Sequence, residues 1–89
     1  MTYRLKKEEI AYRKIGEEYF VLTTGDSTLH NVAGVGVRIM ELLADGKGED
    51  EILRILREEY DADAAEIEAD LASFLEELQA KGIVTENDR

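Results

Sequence analysis

The feature that most constrains the fold of this chain is a change of hydrophobic period between Ser27 and Gly46. Before this segment, apolar and aromatic residues come in short clusters that are typical of strands. After it, apolar residues recur at the spacings of three and four that are typical of amphipathic helices. Strands first and helices afterwards predict a layered α+β arrangement, in which helices cover one face of a small sheet.

Three strands are predicted before the change of period, at about 11–15, 18–23 and 27–32. Two turn signals separate them, Gly16-Glu17 and Thr24-Gly25-Asp26. Strands joined by such short turns pair with their neighbours along the chain, so we expect an antiparallel meander. A meander of three short strands is too small to be stable alone, and the helical part of the chain must cover one of its faces.

Three helices are predicted after the change of period. The first carries Val35, Ile39, Leu42 and Leu43 on one face and ends at Asp45-Gly46. The second runs from about Glu49 to Tyr60 and has three acidic residues in its first turn, where the helix dipole favours negative charge. Its inward residues are Ile52, Leu53, Leu56 and Tyr60.

The third helix, predicted over 64–81, is the longest. Asp63 followed by Glu66 resembles a capping box, and Lys81-Gly82 closes the helix. Its apolar stripe is Ile67, Leu71, Phe74, Leu75 and Leu78. The stripe could lie wholly in the core, or Leu71 and Phe74 could instead help to form the wall of a groove.

The fold class is therefore α+β, with an N-terminal three-stranded antiparallel β-meander followed by a three-helix, winged-helix-like bundle. Because 89 residues suit a single core, we expect one domain over 1–89, with frayed ends at 1–10 and 85–89. The chain has no cysteine and no apolar run long enough to cross a bilayer. These features predict a cytoplasmic protein that does not enter a membrane.

Charge is distributed unevenly along the chain. Residues 1–40 carry six basic and five acidic residues, whereas residues 41–89 carry five basic and sixteen acidic ones, which gives the net charge of −10. An acidic surface repels phosphate, so nucleic acid is a poor partner, and the acidic third helix argues against a winged-helix transcription factor. A basic peptide or a basic patch on a larger protein is favoured, although acidic helices also simply keep a small domain soluble.

No constellation of residues predicts catalysis, a metal site or a cofactor. His30 is the only histidine and is interpreted as a surface or half-buried strand residue. Gly34 and Gly36 lack the third glycine of a dinucleotide fingerprint, because Ile39 stands in its place. Ser27 invites comparison with the phosphopantetheine serine of acyl carrier proteins, but it falls between strand-like runs instead of opening a helix.

The third predicted strand, 27–32, is the last of the meander and should lie at a sheet edge. The backbone N–H and C=O groups of an edge strand need covering or a partner. An extended peptide can supply that partner, with main-chain hydrogen bonds giving affinity and side-chain pockets giving specificity. A second copy of the chain could pair at the same edge, so both a monomer and an edge-strand homodimer remain open.

Three segments of the chain form an ordered pattern that resembles the PqqD family. The first is L-H-N-V-A-G-V-G-V-R-I-M-E-L-L-A-D-G over 29–46, the second E-I-L-R-I-L over 51–56, and the third F-L-E-E-L-Q-A-K-G-I over 74–83. The family pattern has Leu-Asn where this chain has Val32-Ala33, and Trp is common where it has Met40. The PqqD family comprises small peptide chaperones whose fold recurs as the recognition element for precursors of ribosomally synthesised, modified peptides.

The resemblance implies a non-catalytic chaperone that captures the leader of a precursor peptide as a strand added beside 27–32 and packed against the third helix. The resemblance also implies a modifying enzyme, most often a radical SAM protein, that then acts on the peptide's core. The implied peptide-binding residues are Thr28, Leu29, His30, Asn31 and Val32 on the edge, and Ile67, Asp70, Leu71, Phe74 and Glu77 on the helix. Acidic residues suit a leader with Lys or Arg, and we hypothesise that Asp70 or Glu77 pairs with it.

Two other functions stay open at this point. A small acidic domain of winged-helix-like shape could serve as a protein-interaction or regulatory module without binding a leader. An acyl-carrier-like shuttle would carry phosphopantetheine on Ser27, which mass spectrometry of the purified protein would detect.

Overall fold

Strands form both ends of the described part of the chain, and the three helices lie between them in sequence. The computed structural model describes residues 2–87. Within this range the order is β1 (Thr2–Leu5), β2 (Ile10–Ile15), β3 (Glu18–Thr23), β4 (Thr28–Val32), α1 (Val35–Ala44), α2 (Glu49–Glu59), α3 (Ala64–Ala80) and β5 (Val84–Asn87). The predicted α+β class, with an antiparallel meander followed by three helices, is confirmed.

The meander is a three-stranded antiparallel sheet in the order β2-β3-β4. Ile15 pairs with Glu18 across the first turn, where Gly16 takes a φ of 64° that glycine adopts without strain. Thr23 pairs with Thr28 across the second turn, and Tyr19 pairs with Val32 at the far end. The predicted third strand is therefore β4, and among residues 2–87 it has a neighbour on one side only.

The inner face of this sheet packs against the helices. Alternate residues of β3 are buried, and two of them, Tyr19 and Val21, join one connected cluster of buried apolar residues that includes all three helices. Val21, Met40, Ile52 and Leu75 have no exposed surface at all. Met40 thus occupies a fully buried place where the family pattern often has tryptophan.

The helix ends match the predicted signals with two differences. Gly46, just beyond α1, has a φ of 84°, and Gly82, beyond α3, has a φ of 79°. Asp63 caps α3, but its carboxylate accepts from the backbone N–H of Ala65 at 3.3 Å and no reciprocal bond from Glu66 completes the predicted capping box. The second helix ends one residue earlier than predicted, because Tyr60 is already extended.

The structure has strands in the described parts of both ends, where the sequence predicts fraying. β1 and β5 form a second, two-stranded antiparallel sheet in which Leu5 pairs with Val84. Both of these side chains are almost completely buried, and Lys6 N–H donates to the carbonyl of Ile83 at 2.9 Å. The hydrophobic burial of this pair contributes to offsetting the entropy cost of ordering the two ends. Met1, Asp88 and Arg89 lie outside the described residues.

Candidate functional site

The free edge of β4 lacks the features that usually protect a strand edge. Its sequence, T-L-H-N-V, contains no charged residue and no proline, and its pairing with β3 is regular over all five residues. Natural edge strands are commonly blocked by lysine, proline or a bulge, since open N–H and C=O groups recruit other strands. Within residues 2–87 this edge is therefore open to strand pairing.

The side chains of β4 alternate between the two faces of the sheet. Val32 is buried on the inner face, and His30 is half-buried on that face, as the sequence predicted. Leu29 and Asn31 point to the outer face, where Leu29 is 65% exposed. A strand added along β4 would therefore lie beside Val32 and His30 on the inner face of the sheet and beside Leu29 and Asn31 on the outer face.

Hydrogen bonds fix the turn that leads into β4. The buried hydroxyl of Thr23 donates to the carboxylate of Asp26, and this bond lowers the pKa of the Asp26 carboxyl group. Asp26 also accepts from the backbone N–H of Thr28 at 3.2 Å. His30 Nε2 lies 3.4 Å from the Thr23 hydroxyl, so the imidazole of His30 also contacts this turn.

An apolar cavity of about 320 Å³ lies among the three helices. Four of the five predicted helix residues line it: Ile67, Asp70, Leu71 and Phe74. The remaining lining residues come from α1, from α2 and from the segment between α2 and α3, namely Val35, Ile39, Leu56, Tyr60 and Ala62. Asp70 is the one ionisable carboxylate in a lining that is otherwise almost entirely apolar.

The edge strand and the cavity meet at Gly36 on α1. A Cβ atom placed on Gly36 would lie 2.7 Å from Cγ1 of Val32 and 3.0 Å from Cζ of Phe74. Val32 ends β4 and Phe74 lines the cavity, so the missing side chain of Gly36 allows these two elements to approach. No residue of β4 itself lines the cavity. We call the surface that runs from the edge of β4 past Gly36 to the cavity wall of α3 the groove.

Glu77 does not belong to the cavity lining. Its carboxylate pairs with Lys81 Nζ at 3.1 Å, one turn further along α3. The ten predicted site residues thus fall into three sets: five along β4, four in the cavity wall and Glu77 beside the wall.

Sequence reasoning missed the part of the cavity that α1 and α2 contribute. Val35 is 45% exposed and Tyr60 is 40% exposed, although the helical pattern predicts both as inward-facing residues. The signal available was their position at the ends of the helical stripes, where an apolar residue has fewer neighbours to cover it.

A second, polar cleft of about 550 Å³ lies on the other side of the start of α1, and Tyr60 lines both cavities. Lys14 Nζ lies 2.8 Å from Glu41, and the guanidinium group of Arg38 contacts both Glu41 and Glu59. The hydrogen bond from Lys14 lowers the pKa of Glu41, and those from Arg38 lower the pKa of Glu59. This ion-pair network links β2, α1 and α2 beside the polar cleft.

Little in the described residues supports chemistry of other kinds. Among residues 2–87, no group of three or more His, Cys, Asp or Glu side chains could hold a metal ion. Ser27 lies in the turn before β4, with a φ of 53°, and does not open a helix as an acyl-carrier serine does. None of the helices in this range is long and apolar enough to cross a membrane.

One known protein family matches most of this chain. The family described as coenzyme PQQ synthesis protein D (PqqD) matches residues 18–84, which include β3, β4, all three helices and the groove. This chain belongs to the PqqD family. No curated protein matches it.

Two solved structures of PqqD-like fold are similar over nearly the whole chain. The structure of TbiB1 in complex with the TbiA(beta) leader peptide has a TM-score of 0.89 and 28% identity, covering 97% of this chain and 99% of that one. The structure of lasso peptide synthetase B1 complexed with the leader peptide has a TM-score of 0.83 and 20% identity, covering 94% and 98%. The second likeness, at its low identity, concerns the fold alone.

Proposed function

We propose that this PqqD-family domain captures the leader of a ribosomally made precursor peptide and presents it to a modifying enzyme. The leader adds as a strand along the edge of β4, and its side chains pack against α3. The observation that carries the proposal is the unprotected edge of β4 beside the apolar cavity lined by α3. The TbiB1 complex with a leader peptide supports this choice of ligand.

Main-chain hydrogen bonds along β4 would supply only part of the affinity for a peptide. Each main-chain hydrogen bond contributes a net free energy of about 0.5–1.5 kcal/mol. Five residues of β4 offer only a few such bonds to a peptide. Main-chain bonding of this kind is independent of peptide sequence, so the specificity has to come from side-chain pockets.

The apolar cavity is the pocket that would supply specificity. Its volume of about 320 Å³ suits one or two apolar side chains of a peptide. Asp70 adds a carboxylate to this lining, so a long side chain with an apolar stem and a basic end also fits. We therefore propose that the leader presents an apolar residue and a Lys or Arg to this wall, with Asp70 as the acidic partner.

An extended peptide suits the edge better than a second copy of the domain does. A second copy paired at β4 would bring its own α3 close to this one, and α3 carries Glu66, Glu68, Asp70, Glu76 and Glu77 against a single Lys81 at its end. Repulsion between two such acidic bodies opposes a homodimer at this edge. A basic leader brings no such repulsion.

The proposed role is non-catalytic, with a separate enzyme performing the modification. Binding the leader raises the local concentration of the peptide core at the enzyme, since the tethered core no longer has to be captured from solution. A radical SAM protein or another peptide-modifying enzyme fits this arrangement equally well. The domain positions the peptide, and the enzyme catalyses its modification.

Titration of ¹⁵N-labelled protein with synthetic leaders tests the proposal. The TbiA(beta) leader and the N-terminal segments of short peptides encoded beside this gene are the peptides to use. We expect amide shifts in 28–32 and 67–74, with few shifts in β1 and β5. Shifts confined to other surfaces, or none with any leader at millimolar concentration, would overturn the proposal.

A backbone-methylation scan of the leader that binds separates strand addition from simple groove binding. N-methylation removes one N–H donor without changing the side chain. In an antiparallel or parallel strand, only alternate N–H groups face the neighbouring strand. We expect affinity to fall about tenfold at every second position. A uniform effect at all positions would show that the peptide does not bind as a strand.

A further inference from the structure

The outer face of the three-stranded sheet is a second apolar surface, separate from the groove. Cross-strand pairing places Ala11, Leu22 and Leu29 in one row of this face and Arg13, Phe20 and Asn31 in the next. Ile15 and Glu18 form the last row. No element of the described chain covers this face, since the core lies on the opposite side of the sheet.

Exposure of large apolar side chains is concentrated at two places within residues 2–87. Five such residues are more than a third exposed. Val35 and Tyr60 line the apolar cavity, and the other three, Ile15, Leu22 and Leu29, lie on the outer sheet face. Phe20 adds a half-buried ring between them. The largest apolar patch on a monomer is often functional, which makes this face a candidate interaction surface.

We propose that this outer sheet face docks the enzyme that acts on the bound peptide, through an apolar surface that carries a carboxylate. The inference rests on the proposed leader-binding function, because it assigns the bound peptide a place in the docking surface. The groove and the outer face would then serve two different partners.

Charge orients the docking partner. Arg13 lies in the middle row, and none of the ion pairs within residues 2–87 involves it. Glu18, the acidic residue of the face, already accepts from the side chain of Asn31 at 2.7 Å. Residues 41–89 carry eleven more acidic than basic residues, so a partner carboxylate is repelled there and is attracted by Arg13.

The face is small, and its size favours one partner above another. An enzyme that also contacts the peptide suits it better than a second copy of this domain does. Three strands of about six residues span roughly 20 by 14 Å, or about 300 Å². A stable interface buries about 800 Å² on each partner, so two stacked copies of this face would be held weakly. A leader strand added to β4 widens the same face by about 5 Å. Half of the leader's side chains would then point outward beside Leu29 and Asn31.

Two variants on β2 test the docking surface without touching the groove. Arg13→Glu and Ile15→Lys lie two strands away from the edge that would hold the leader. Arg57→Glu is the matched control, because Arg57 is an exposed arginine of α2 that likewise forms no ion pair within residues 2–87. Each variant replaces the gene in cells that carry its native genomic surroundings, and mass spectrometry measures the yield of modified peptide.

We expect each β2 variant to bind the leader within twofold of the unmodified domain but to lower the yield of modified peptide at least tenfold. Arg57→Glu should leave both unchanged. Full yield in both β2 variants, or a parallel loss of leader affinity, overturns the docking surface. So does sedimentation of the unmodified domain as a dimer that these variants dissociate. An unchanged yield after deletion of the gene instead contradicts the proposed function itself.

Discussion

Val32 of the edge strand and Phe74 of α3 approach the same point above Gly36. The position of a Cβ on that glycine is 2.7 Å from a methyl carbon of Val32 and 3.0 Å from the tip of the Phe74 ring. These two residues belong to the two walls of the groove. The two walls can therefore come this close only because residue 36 is a glycine and has no side chain between them.

Replacing Gly36 with alanine should disturb the groove. The added methyl group would press on Val32, which is buried and stiff at χ1, and would push the Phe74 ring aside. Overpacking costs about 1–3 kcal/mol, whereas alanine in place of glycine within a helix returns up to about 1 kcal/mol. We expect a net loss of about 1 kcal/mol in urea unfolding and a leader affinity lowered about tenfold.

Gly25→Ala is the matched control for Gly36→Ala. Gly25 has no positive φ, and a Cβ placed on it would have no heavy atom within 4 Å. The free energy of unfolding should stay the same or rise by a few tenths of a kcal/mol, because alanine reduces the entropy of the unfolded chain. Equal effects of the two substitutions would show that the contact above Gly36 is unimportant.

Asp70 and Glu77 should differ in their effect on leader binding, although the sequence predicts either of them as the partner of a basic leader residue. Asp70 lines the cavity, whereas Glu77 pairs with Lys81 outside it. For a leader with Lys or Arg, we expect Asp70→Asn to lower affinity about 5- to 30-fold and to reduce its dependence on salt, since a charge-assisted hydrogen bond is lost. Isothermal titration at two salt concentrations measures both effects.

Glu77→Gln serves as the control for Asp70→Asn, and we expect it to change leader affinity less than twofold. Equal losses in the two variants would mean that the acidic wall attracts the leader by general charge alone. No loss in either would remove the acidic partner from the proposal.

Leu5 should be important for stability even though it lies near the start of the chain. Its side chain is almost completely buried, beside Val84 in the β1–β5 sheet. Truncating a buried leucine to alanine removes apolar contacts and leaves a cavity, which costs about 2–5 kcal/mol. We expect Leu5→Ala to lose about 2–3 kcal/mol in urea unfolding. A loss below about 0.5 kcal/mol would indicate that the end is frayed in solution.

The β1–β5 sheet also shows what the sequence could not predict. Each strand has four residues, the two lie about 80 residues apart, and neither carries a repeated apolar pattern. The central meander was predictable because its strands are joined by short turns with clear glycine signals. Pairing between distant short strands depends on tertiary packing, and local sequence does not record it.

The groove was likewise predictable only in part. The helical period identified the stripe of α3, but it could not distinguish Leu71, which is 2% exposed, from the half-buried Phe74 on the same stripe. That difference arises where α1 and α2 leave space beside α3. The edge position of β4 could be inferred from strand order alone, which needs no such detail.

The ion-pair network around the polar cleft should give this domain an acid-sensitive part of its stability. Hydrogen bonds from Lys14 and Arg38 lower the pKa values of Glu41 and Glu59 in the folded state. A carboxyl group with a lowered folded pKa stabilises the fold above its unfolded pKa, which is about 4.3 for glutamate. This stabilisation is lost as the pH falls through the lowered value. The Glu41→Gln, Glu59→Gln double variant should therefore melt a few degrees below the unmodified protein at pH 7.

The melting-temperature difference should shrink as the pH falls below the unfolded glutamate pKa of about 4.3, and it should disappear once the carboxyl groups of the unmodified protein are protonated as well. Removing two negative charges from a chain of net charge −10 also relieves general repulsion. The Glu66→Gln, Glu68→Gln variant controls for this effect, since no ion pair within residues 2–87 involves either residue. Circular dichroism measures the melting temperatures of all three proteins from pH 2.5 to 7. A constant difference across this range would show that the substitutions act through packing and not through the charges of Glu41 and Glu59.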